Sequence, residues 1–226
     1  MTALQTTAPQ KISHHPDADL MARYSAGSLD EASALAIAAH LTFCPACRRA
    51  AATFEALGGE LLADMPLASL APDALTATLA RAKSERPAVA SAPTPRAGRG
   101  AVLPAPVRRY VGGDVDAVRW RAIGPGIHHA PLLTDAGVTA RLLRIAPGRA
   151  VFDHSHSGTE LTLVLNGSYS SLDSRFARGD IEVADESINH RPVAGAEDVC
   201  ICLAVTDAPL RFDSWIGRVM QPFIGI

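Results

Sequence analysis

Apolar positions recur at helical spacing through the first third of the chain and at strand-like spacing through the last half. Leu20, Met21 and Tyr24 share one face of a predicted helix over Asp17–Ala26, which Gly27 is placed to terminate. Ser28-x-x-Glu31 has the form of a capping box and opens a second helix with Leu35, Ile37, Ala38 and Leu41 as its apolar positions. A break at Phe43-Cys44-Pro45 precedes a third helix over Pro45–Leu62, with Phe54, Leu57 and Leu61 on one side. Pro72 fits the first turn of a fourth, with Leu75 and Leu79 one turn apart. Four short helices make a small core of the kind that gains from a metal staple.

Beyond residue 110 the texture changes. Val118–Ile123, Val138–Ile145, Leu161–Leu165, Ile181–Val183 and Val199–Val205 are short and strand-like. Gly124-Pro125-Gly126, Pro147-Gly148, Asn166-Gly167 and Arg178-Gly179-Asp180 punctuate them. Short strands with frequent turns predict a β-sandwich or small barrel. The expected architecture is α+β in two domains: a helical domain over 1–83, a linker over 84–109, and a β domain over 110–226. The linker holds five prolines, five arginines and one acid, and reads as an extended solvated tether.

Composition narrows the class. The chain has 226 residues, is 48% hydrophobic and carries a net charge of -2, so it buries a real core and has no global bias toward nucleic acid. Residues 1–83 hold six basic against eight acidic residues, and 110–226 ten against fourteen. No apolar run approaches the roughly 18 residues of a membrane span, and the N-terminus lacks the pattern of a signal peptide. A cytoplasmic location is expected, with the four cysteines reduced.

Two constellations carry chemistry. In His40-x3-Cys44-x2-Cys47, one turn separates the cysteines, so two thiolates face a common point that His40 reaches from the preceding helix. Tetrahedral N/S coordination suits Zn²⁺ and calls for a fourth ligand, for which His14 and His15 are the candidates. The second constellation is Gly148-x5-His154-x-His156-x3-Glu160-x6-Gly167, which matches the first motif of the cupins. Alternation along a strand puts His154 and His156 on one face. His190 supplies a fourth ligand from a second motif that lacks its usual proline, glycine and asparagine. Three histidines and a glutamate suit zinc, iron, manganese or nickel, and Asp153 and Asp180 are candidates to orient them. Cys200 and Cys202 share one face of an apolar strand. They read as barrel packing in preference to a redox pair, since two residues of strand rise is about 6.7 Å.

The whole arrangement resembles the ChrR family of zinc-binding anti-sigma factors, end to end. The resemblance is carried by His14-His15, the 24–29 and 40–47 segments, Tyr110-Val-Gly, Val118-Arg-Trp120, the cupin stretch 154–167, Gly179-Asp-Ile-Glu182, the 200–203 and 206–212 segments and Gln221-Pro-Phe223. It implies a helical domain that holds zinc through His15, His40, Cys44 and Cys47 and sequesters an ECF-type RNA polymerase sigma factor. It also implies a cupin domain holding a second divalent metal, expected to be zinc, through His154, His156, Glu160 and His190. That domain would release sigma in response to singlet oxygen and organic hydroperoxide, as a sensor and not an enzyme. Leu61, Leu62, Leu67, Leu70, Leu75 and Leu79 are candidates for the sigma-facing surface. The alternative is a cupin metalloenzyme, dioxygenase-like, with a zinc-binding adaptor; a DNA-binding role is disfavoured because no basic recognition helix is present.

Overall fold

The computed structural model describes residues 11–84, 100–135, 137–151, 154–155, 157–208 and 211–212. Four helices open the chain: α1 (Ala18–Ser25), α2 (Glu31–Phe43), α3 (Pro45–Ala63) and α4 (Ala74–Ser84). Asp17 caps α1 by accepting from the Leu20 amide at 2.8 Å, and Gly27 follows its end in a left-handed conformation, φ +68°. The cap of α2 differs from the expected box. Asp30 accepts from the Ser33 amide at 2.8 Å, while Ser28 donates back to the Arg23 carbonyl and closes α1. The carboxylate stands adjacent to the helix start, so the serine is left to finish the previous turn.

A fifth helix, α5 (Ala105–Val111), occupies the end of the expected linker. Pro104 precedes it, and Gly112, at φ +80°, stops it. Val107 on its inner face is fully buried, and Asp114 accepts from the amides of Val102 and Leu103, so residues 102–109 are docked and not a solvated tether. Residues 85–99 of the linker lie outside the described residues.

Among the described residues twelve strands follow: β1 (Arg121–Gly124), β2 (Ile127–Asp135), β3 (Val138–Ile145), β4 (His154–Ser155), β5 (Glu160–Asn166), β6 (Ser168–Ser171), β7 (Ser174–Ala177), β8 (Ile181–Ala184), β9 (Asn189–His190), β10 (Val193–Ala194), β11 (Cys200–Thr206) and β12 (Arg211–Phe212). They form a six-stranded sheet in the order β1-β2-β3-β11-β5-β8 and two three-stranded sheets, β10-β6-β7 and β12-β4-β9. Every pairing is antiparallel. The sequence pattern did not show β2, because Pro131 and His128-His129 interrupt its apolar positions; a register shift between Pro131 and Leu133 accommodates the proline.

The central strands of the six-stranded sheet are buried on both faces. Along β11 every residue is buried. Cys200 and Cys202 face an interior cluster with Ile127, Ile145, Val164, Tyr169, Phe176 and Ala194, between this sheet and the β10-β6-β7 sheet. Ile201, Leu203 and Val205 face the other way, into a core shared with Leu35, Ala36 and Ile37 of α2 and Val107 of α5. This explains the composition of α2. Its sequence EASALAIAAHLTF is apolar nearly all round, as a helix enclosed on most sides requires. The helical part therefore does not stand on a core of its own; α2 is the lid of the sheet. α4 has no buried residue, and Leu75 and Leu79, candidates for a partner-facing surface, are exposed.

Ile37 is fully buried where α2 meets the sheet. Ile37→Ala is expected to cost about 2–5 kcal/mol, from lost burial and the cavity left behind. A urea denaturation midpoint close to that of the unsubstituted protein would contradict this placement.

Candidate metal centre

The four residues of the first constellation come from three places. His15 lies in the extended segment before α1. His40 is in the last turn of α2, Cys44 is the single residue between α2 and α3, and Cys47 is in the first turn of α3. Pro45 at the start of α3 makes the turn tight, and the Cys44 sulfur accepts from the Cys47 amide at 3.4 Å. One ligand atom from each of the four lies within 4.8 Å of all the others. His15 Nδ1 stands 3.4 Å from Cys44 Sγ and 3.3 Å from Cys47 Sγ. A zinc tetrahedron with bonds of about 2.0–2.3 Å has edges of about 3.3–3.8 Å, so these separations suit two nitrogens and two sulfurs around one ion.

His40 supplies the sharpest test of fit. It is fully buried, and its Nδ1 lies 2.9 Å from the Gly179 carbonyl oxygen. A carbonyl only accepts, so Nδ1 carries the proton and Nε2 presents its lone pair. That Nε2 is buried with no hydrogen-bond partner. A buried acceptor without a partner is costly, and a metal ion removes the cost. Burial, the largest influence, lowers the His40 pKa to about 4, which keeps the imidazole neutral as a ligand must be. Burial likewise pushes the Cys47 thiol up to about 12, with Cys44 adding to it, so thiolates here call for a cation.

His14, the other candidate for the fourth ligand, turns away. Its ring centroid lies 4.3 Å from that of Phe176, and its Nδ1 is 3.7 Å from Asp180 Oδ2. Asp180 is accordingly not an orienting group for the cupin ligands. It accepts from the amides of Ser13, His14 and Ala177 and faces the helical part. Asp153 lies outside the described residues.

Of the second constellation, Glu160 at the start of β5 and His190 in β9 are both buried, with His190 Nε2 at 3.9 Å from Glu160 Oε2. His154 in β4 pairs in register with His190. The His154 side chain and the whole of His156 lie outside the described residues. Three groups that sequence reasoning missed surround His190. Ser171 Oγ is 2.8 Å from its Nδ1, Glu182 Oε1 is 3.5 Å from the same atom, and Tyr169 donates to Glu182 Oε2 at 2.6 Å. Burial alone would raise the Glu182 pKa, but hydrogen bonds from His190, Tyr169 and Ser171 overcome it and hold the carboxyl below its usual range. Alternation on β8 gave no signal for it, because Ile181 and Val183 share one face and leave Glu182 on the other; its contacts with Tyr169 and His190 turn that face inward. Cys200 and Cys202 are free thiols, fully buried, with sulfurs 3.5 Å apart. The hydrogen bond between them, and then burial, push Cys202 well above the ordinary thiol range. Their setting is that of packing residues.

The profile of the ChrR cupin-like domain matches residues 109–209. The anti-sigma-E factor ChrR of Cereibacter sphaeroides is 44% identical over 217 residues, covering 95% of this chain and 99% of that protein. The chain belongs to the ChrR family. A crystal structure of Rhodobacter sphaeroides SigE in complex with the anti-sigma ChrR aligns with a TM-score of 0.74 at 39% identity, over 87% of this chain and 99% of that one. The correspondence thus spans both the helical part with its His/Cys cluster and the cupin part.

Acidification tests the His40 assignment. Its folded pKa lies near 4 against 6.5 for a free imidazole, so its contribution is fully present above pH 6.5. It is lost as pH falls from 6.5 toward 4, because the unfolded chain takes a proton that the folded one refuses. In the presence of a chelator, the denaturation midpoint should fall over that window more steeply than in a His40→Gln variant. Equal slopes would contradict a buried neutral His40.

Proposed function

We propose that this protein is an anti-sigma factor. Its helical part holds Zn²⁺ through His15, His40, Cys44 and Cys47 and sequesters an ECF-type RNA polymerase sigma factor in the cytoplasm. Its cupin part holds a second divalent metal, zinc, through His154, His156, Glu160 and His190. That part promotes release of sigma under oxidative stress, with singlet oxygen and organic hydroperoxide as the signals. The role is regulatory and involves no catalysis by this chain.

One observation in this molecule carries the reading. From the end of α3 through α4, large apolar side chains stand in solvent: Leu61, Leu62, Met65, Leu67, Leu70, Leu75 and Leu79 are each more than half exposed, and Leu67 almost wholly. A continuous apolar stretch left uncovered beside a well-packed core marks a protein-binding surface. A helical sigma factor offers complementary apolar faces. The excess of acid over base in residues 1–83 suits a partner whose own surface is basic enough to bind DNA. The family relative solved with SigE supports the same partner class. Among the described residues no helix is long and apolar enough to cross a membrane.

Capture of tagged protein from its native cells should bring down a sigma factor in stoichiometric amount. Cys44→Ser should lose the helical-domain metal and the sigma factor together. A Leu75→Asp, Leu79→Asp double variant should weaken sigma binding at least tenfold, since both side chains would leave an apolar contact, while the thermal midpoint stays within about 2 °C because neither touches the core. Retention of full sigma affinity in the double variant would remove this surface from the account. A chain that binds no sigma factor and carries redox-active iron with turnover would replace the regulator with a cupin metalloenzyme.

A further inference from the structure

The turn between β7 and β8, Arg178-Gly179-Asp180, belongs to the cupin part yet makes its contacts on the helical metal site. The Gly179 carbonyl accepts from His40 Nδ1 at 2.9 Å. Asp180 Oδ1 accepts from the Ser13 amide at 2.7 Å and the His14 amide at 3.1 Å, while Oδ2 accepts from Ala177 N at 2.9 Å and so ties the carboxylate to its own turn. The Ile181 amide donates to the His14 carbonyl at 3.3 Å. Arg178 lays its guanidinium over the Phe43 ring at 4.9 Å. Gly179 makes the approach possible. Its φ is +93°, and a Cβ there would sit 2.8 Å from Ile12 and 3.1 Å from Phe43 Cβ.

We propose that Asp180 and Gly179 are positioning residues of the helical-domain metal site, so that the cupin part sets how tightly that site holds its ion. The argument rests on the reading that His15, His40, Cys44 and Cys47 bind a metal. His15 lies in a segment with no helix or strand of its own. Such a segment pays conformational entropy to deliver a ligand, unless something else already holds it. A carboxylate only 2% exposed, bonded to the two amides immediately before His15, supplies that hold. The Gly179 carbonyl fixes the ring and tautomer of His40 and raises the basicity of Nε2, the usual service of an outer partner to a ligating histidine. Two residues beyond Asp180, Glu182 stands 3.5 Å from His190. One short stretch of chain thus touches both constellations, and a displacement of β8 at one is felt at the other.

The test is metal competition on the full chain, with Zn²⁺ and Co²⁺ as probes against a chromophoric chelator. Asp180→Ala should weaken the helical site about tenfold to hundredfold, the range found when outer partners of ligands are removed. It should also alter the sulfur-to-Co²⁺ charge-transfer band, which reports ligand geometry and not global stability. Asp180→Asn keeps an acceptor but turns an amino group toward one of its three donor amides, so a smaller loss is expected. Gly179→Ala, whose Cβ would press on Ile12 and Phe43, should weaken the site by displacing the turn that holds both His40 and the segment before His15. Leu203→Val, a destabilising change in the shared core, should leave affinity unchanged. If Asp180→Ala fails to fold, Asp180→Asn and amide exchange at Ser13 and His14 decide: protected amides and weakened metal support the proposal. Wild-type affinity in Asp180→Asn and Gly179→Ala, or unprotected amides in the parent protein, would overturn it. A parent protein without metal, or a Cys44→Ser variant with unchanged metal, would instead remove the underlying metal reading, and the proposal with it.

Discussion

The packing of α2 against the outer face of the six-stranded sheet is the contact on which the rest depends. Ile201, Leu203 and Val205 of β11 would otherwise lie in water, and so would Leu142, Leu163 and Leu165 of the neighbouring strands. A cupin sheet with an apolar outer face cannot stand alone, and a helix apolar nearly all round cannot either. Each supplies the cover that the other lacks. The helical and cupin parts are therefore joined by a core, and the chain between them adds α5 to the same core.

That contact decides where the His/Cys cluster sits. His40 closes the C-terminal turn of α2, so docking α2 on the sheet brings His40 to the β7–β8 turn. The cluster then lies at the seam between the two parts. The apolar run through α3 and α4 leads away from that seam into solvent, which leaves it free for a partner while the cluster is held from behind.

Much of this was legible in the sequence, for reasons that differ by element. The spacing His40-x3-Cys44-x2-Cys47 is local, so it shows in the sequence and in the fold alike, and β3 and α3 fall close to where their apolar patterns put them. The choice between His14 and His15 was not local. Adjacent residues of an extended segment point to opposite sides, and only the position of Phe176 and Asp180 decides which one turns inward. The same holds for Asp180 itself, which sequence proximity assigned to the cupin ligands and the fold gives to Ser13 and His14. Pro131 hid β2, and the proline-rich composition before residue 110 hid α5, whose burial comes from tertiary contact and not from periodicity. The apolar pattern of Leu75 and Leu79 serves equally for a core and for a binding surface; the family resemblance put them on a partner-facing surface, and the fold leaves them exposed.

Native-state hydrogen exchange tests the shared core most directly. If α2 and β11 belong to one cooperative unit, the amides of Leu35–Ala39 and of Ile201–Val205 should exchange with the same opening free energy and the same dependence on denaturant. Exchange of the α2 amides through a smaller opening, with β11 still protected, would show that the helical part opens independently of the sheet and would contradict the account.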